Sequence, residues 1–102
     1  KNKIQHPENR DTASFLRKQG IDLKNKEIHH WNYNFKNDVF ILNPRAHKLV
    51  HKYITFNSDT NTFMRGGIEL STKESHFHLI KSIFEENNVS YEIDTYPTDE
   101  EP

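Results

Sequence analysis

Glu27-Ile28-His29-His30-Trp31, followed by Asn43-Pro44-Arg45-Ala46-His47-Lys48-Leu49-Val50-His51, decides how this chain is read. Four of its seven histidines fall between residues 29 and 51. His29 and His30 are adjacent, and His47 and His51 are four apart. A helix brings residues four apart onto one face, one turn above the other. The helix has a clear start. Asn43 is a good N-cap, and Pro44 suits the first helical position, where no amide donor is needed. Ala46, Val50 and Tyr53 should pack inward, with His47 and His51 on the neighbouring stripe.

Working outward, Ile28 to Trp31 reads as a strand. Residues 32–38 form a polar connecting loop, and the apolar run Val39-Phe40-Ile41-Leu42 reads as a buried strand. Strand, loop, strand and helix make a ββα unit over residues 27–54. Its histidines fall on the first strand and on the helix.

The remaining segments complete a small α+β domain over residues 11–95. Residues 1–10 are expected to be loose. Asp11 should cap a short helix that buries Phe15 and Leu16 and ends at Gly20. Ile54-Thr55-Phe56 favours a strand, and residues 57–61 favour a turn. Phe63 to Leu70 reads as extended with a bend at Gly66-Gly67. Ser71 and Glu74 form a capping-box pattern that opens a helix to about Asn87. Phe77, Ile80, Ile83 and Phe84 are its expected core side. Val89 to Thr95 alternates like a final strand, and residues 96–102 read as an acidic, disordered tail.

Composition limits the alternatives. Only 32% of the 102 residues are hydrophobic, and the mean hydropathy is -0.98. The core must be thin, so a bound metal would contribute appreciably to stability. With no cysteine, disulfides and thiolate zinc sites are excluded. No apolar run approaches the roughly 20 residues needed to span a bilayer. A net charge of -1 conceals an asymmetry: residues 1–68 carry +6 and residues 69–102 carry -7. A polyanion would favour the first segment, where the histidines lie.

Neutral imidazole is a common metal ligand. Three imidazoles leave a coordination position open, which is the catalytic rather than the closed structural pattern. They also leave the ion's full charge available to a phosphate oxygen. A fourth, unliganded histidine can take a proton from water near neutral pH. These parts suit metal-assisted hydrolysis of a phosphodiester.

Glu27-Ile28-His29-His30, then Asp38 to His47, then His51, resembles the ββα-metal, or HNH, endonuclease motif. The closest pattern is that of colicin-type nuclease domains. The resemblance covers about a quarter of the chain. It implies His29, His47 and His51 as metal ligands and His30 as the general base. It implies DNA cleavage to a 5′ phosphate and a 3′ hydroxyl. The family carries Asn in the loop between the strands, where its side chain holds the loop that bears the base. Here Asp38 stands at that position, with Asn37 beside it. Asp accepts hydrogen bonds but cannot donate them.

Arg45, Lys48, Lys52 and Lys36 form the expected phosphate footprint. His76 and His78, two apart on another helix, are expected to be non-ligands. Glu27 is a candidate acceptor for a ligand imidazole. All-nitrogen ligation favours zinc or nickel, with cobalt, manganese and magnesium as further candidates for the single divalent ion. The expected partners are DNA and, as the family suggests, further domains of a longer chain or an inhibitor protein, with no membrane. A cytoplasmic setting is expected, or a secreted toxin domain. The rival reading is an inactive, zinc-stabilised module that binds nucleic acid or protein. A third is a fragment whose charged segments serve contact with other domains.

Overall fold

The computed structural model describes residues 7–97. Of the residues expected to be loose (1–10) or an acidic tail (96–102), 1–6 and 98–102 lie outside the described residues, residues 7–10 begin the first helix and Tyr96 ends the last strand. The order of elements is α1 (Pro7–Lys18), β1 (Glu27–His30), β2 (Val39–Leu42), α2 (Pro44–His51), β3 (Thr55–Asn57), β4 (Thr62–Arg65), β5 (Ile68–Leu70), α3 (Lys73–Glu86) and β6 (Asp94–Tyr96). This is an α+β domain with two small antiparallel sheets, β1-β2-β6 and β3-β4-β5.

The ββα unit forms as its sequence dictates. β2 is buried along its whole length. α2 starts on Asn43, whose extended backbone (φ -73°, ψ 163°) lets its side chain accept the Ala46 amide at 2.8 Å. That bond satisfies one of the donors every helix start leaves open. Ala46 and Val50 are fully buried beneath the helix.

Strand alternation gives the first sheet two distinct faces. Val39 and Ile41 pack with Leu16 of α1 on one face. Phe40 and Leu42 face the main core, which includes Ala46 and Val50 of α2 and Ile80, Ile83 and Phe84 of α3. In the register of β1 against β2, His29 stands opposite Phe40 and His30 opposite Val39. The two adjacent histidines therefore belong to opposite faces.

The second sheet contains a tight hairpin at Gly66-Gly67. Both residues have positive φ (58° and 81°), the conformation a two-residue turn between twisted strands requires.

Some boundaries differ from expectation. α1 begins at Pro7, so Asp11 lies inside it rather than capping it. α3 is capped one residue later than Ser71 predicts. Thr72 accepts the Ser75 amide at 3.0 Å, and the Ser75 hydroxyl reaches back to the Thr72 amide at 3.3 Å. Leu70 ends β5 and is buried, which delays the helix start. Residues 89–93 are not paired in a sheet. Val89, Tyr91 and Ile93 pack on the main core, and the final strand is confined to Asp94–Tyr96.

Candidate metal centre

His29 of β1 and His47 and His51 of α2 come together. One nitrogen from each lies within 4.8 Å of the others. The ring centres are 5.2 Å (His29–His47), 5.0 Å (His29–His51) and 4.7 Å (His47–His51) apart. Imidazoles bound to one tetrahedral ion through nitrogens about 2.0–2.1 Å away place their ring centres about 5 Å apart. The three rings fit that spacing, so this group could hold a metal ion. Its burial is graded: His29 is only 1% exposed, His47 half-buried and His51 exposed. The centre is thus anchored in the core and open on the α2 side.

The hydrogen bonds prepare the donors. Nδ1–H of His47 donates to Oε1 of Glu27 at 2.8 Å. That fixes the proton on Nδ1 and leaves the Nε2 lone pair for a metal. Nε2 of His47 faces Nε2 of His51 at 3.0 Å. Glu27 and His29 are two apart on β1, so a single strand supplies a ligand and the orienting carboxylate of another ligand. Replacing Glu27 with Ala is expected to weaken metal binding roughly 10- to 100-fold, as for other carboxylates behind ligand histidines. Competition against a chromophoric chelator measures it, and unchanged affinity would show that the carboxylate does not orient His47.

The local environment favours the neutral form of His29 and His51. Burial, reinforced by the neighbouring rings of His76, His47, His51 and His30, holds His29 well below its ordinary pKa. Burial and then His47 lower His51 to about 4, against the opposing pull of Glu27. Neutral imidazole is the ligating form. Phe63 of β4 lines the cluster, its ring 5.5 Å from that of His29 and 5.5 Å from that of His51.

His30 is not in this group. Its ring stacks on Tyr33 at 4.5 Å, and Nε2 lies 2.9 Å from the Lys36 carbonyl and 3.1 Å from Thr12 Oγ1. Thr12 Oγ1 itself donates to the Lys36 carbonyl. Nε2 therefore carries the proton, which leaves the lone pair on Nδ1. Asp38 accepts from the Trp31 indole at 3.3 Å and pairs with Lys73 at 2.7 Å. Asp38 thus ties the residue after His30 to α3 using acceptor oxygens alone. Asn37 keeps a buried side-chain oxygen with no hydrogen-bond partner. Arg45, Lys48 and Lys52 are exposed on or beside α2. Lys36 pairs with Asp11 at 3.3 Å.

Sequence reasoning missed one residue. His76 of α3 is fully buried, and its Nε2 lies 2.7 Å from Nε2 of His29. A signal was present. His76, Ile80, Ile83 and Phe84 follow helical spacing, so the apolar stripe of α3 extends back onto His76. His78, expected to be a non-ligand, is exposed and lies outside the grouped histidines.

A groove of about 850 Å³ lies beside α3, lined by Asp38, Phe40, Lys73, Phe77 and Thr95 among others, and none of the three grouped histidines borders it. Among the described residues, no helix is long and apolar enough to cross a membrane. No protein-family model, curated protein or solved structure matches this chain.

Proposed function

We propose that this chain is a metal-dependent endonuclease of the HNH type that hydrolyses DNA. The observation that carries the proposal is the convergence of His29, His47 and His51 on a ββα unit, with Glu27 behind His47. The donor set is all nitrogen, which favours zinc or nickel as the ion that co-purifies. A divalent ion bound there would supply positive charge to a phosphate oxygen and to the leaving 3′ oxygen.

The chain's own residues supply the rest. His29, His47 and His51 would hold the ion, each through one ring nitrogen. His30, with its proton held on Nε2 by the Lys36 carbonyl, is the general base in this reading, and its buried Nδ1 must be uncovered for the attacking water to reach it. Asp38 fixes the loop that follows, through Trp31. Arg45, Lys48 and Lys52 give the α2 surface positive charge for the DNA backbone, without reading sequence.

A second reading is an inactive metal-stabilised module that binds nucleic acid or protein. It is favoured by the placement of His30, which is 1% exposed and aligned with Val39 rather than Phe40. A plasmid-nicking assay across zinc, nickel, cobalt, manganese and magnesium separates the two. The nuclease reading expects wild type to nick, and His30→Ala to lose about 10²–10⁴-fold in rate, the range general-base catalysis supplies. It also expects His30→Ala to keep its metal. Silence of the wild type under every metal, with metal still bound, would leave the module reading standing.

A further inference from the structure

The contact between His29 and His76 calls for one proton between two nitrogens. Nε2 of each ring faces the other at 2.7 Å, inside a core closed by Phe40 and Phe63. The two residues are 1% and 0% exposed, so water does not substitute for the bond. Two lone pairs at that distance would repel, and two protons would clash. One ring must donate and the other accept.

We propose that His76 is a positioning residue of the metal centre, one that sets the tautomer and ring orientation of His29. The proposal rests on the reading of His29, His47 and His51 as metal ligands. A ligating nitrogen must present a lone pair, so the nitrogen of His29 engaged with His76 cannot serve the metal at the same time. The proton belongs on Nε2 of His29, His76 accepts it, and Nδ1 of His29 faces the ion. His76 then does for His29 what Glu27 does for His47. One partner comes from β1 and the other from α3, and both fix which nitrogen points at the centre.

An imidazole that accepts on Nε2 carries its own proton on Nδ1. The cost is visible too. Nδ1 of His76 is buried with no hydrogen-bond partner. A buried imidazole with an unsatisfied nitrogen is a poor choice for packing alone, since a phenylalanine would fill the same space without it.

The test compares wild type, His76→Phe, His76→Gln and His47→Ala by chelator competition and cobalt absorption. His76→Phe keeps the volume and removes the acceptor. It is expected to weaken binding about 10- to 100-fold. His76→Gln, which restores an acceptor, is expected to return most of that loss. The cobalt spectrum is expected to keep its shape in both, because the ligand count does not change. Wild-type affinity in His76→Phe would overturn the proposal. So would a changed cobalt spectrum in both variants, which would make His76 itself a ligand. Should His76→Phe fail to fold, nitrogen NMR of the zinc-loaded wild type decides instead. His29 is expected to carry its proton on Nε2, and a proton on Nδ1 would overturn the proposal. Failure of the ligand reading is read separately, as metal binding by His47→Ala equal to wild type.

Discussion

Zinc added to about a thousand times its dissociation constant will stabilise the wild-type domain by about 4 kcal/mol and leave His47→Ala almost unmoved. The gain follows from binding to the folded state alone. Unfolding separates β1 from α2, and with them His29 from His47 and His51. A domain of this size has about 5–15 kcal/mol of total stability, so the shift would be a large fraction of it. His47 is the decisive position because its Nδ1 is already committed to Glu27 and its Nε2 faces His51. Without it, two imidazoles from different elements remain. Urea unfolding with and without zinc measures the effect. An equal zinc shift in wild type and His47→Ala would remove His47 from the ligand set.

Without metal, the same domain will lose stability as the pH falls from about 6.5 towards 4. His29, His51 and His76 all have folded-state pKa values lowered chiefly by burial. The unfolded chain protonates these rings near the ordinary value of about 6.5. Between that value and the lowered ones, the unfolded state binds more protons, so acid favours unfolding. Above pH 6.5 both states are neutral and the effect vanishes. His76, lowered to about 4, contributes by itself about 3 kcal/mol across the window. Bound metal adds to the slope, because protons compete for the same nitrogens. Urea midpoints at pH 7.5, 6 and 5 test the prediction. A flat profile over that range would mean that the rings titrate as they do in the unfolded chain.

The parts of this fold legible in sequence are those governed by near neighbours. Asn43-Pro44 announces α2 because a cap and a proline act within one turn. Val39 to Leu42 announces β2 because four apolar residues in a row have nowhere to go but inside. The start of α3 was legible to within a residue. Two overlapping patterns, Ser71 with Glu74 and Thr72 with Ser75, compete there, and the burial of Leu70 settles which wins.

The site was legible in its local half. His47 and His51 share a helix face by spacing alone, and Glu27 lies on the same side of β1 as His29. The placement of His30 follows from strand alternation, which separates it from His29 however close the two are in sequence. His76 was not legible by spacing, because 47 residues separate it from His29 and only the packing of α3 on the sheet joins them. Its position on the apolar stripe was the available clue, and a histidine there reads as polar until its partner is known.

Phe63 gives the centre a property that none of its nitrogens provides. It comes from a strand of the second sheet, contributes no donor, and lays its ring against His29, His51 and His76. The first sheet therefore supplies one candidate ligand, His29, and the second supplies insulation. A charge beside such a surface is screened less than in water, with an effective dielectric nearer 20 than 80. The electric field of an ion seated on these rings would be about four times stronger than in bulk solvent at the same distance.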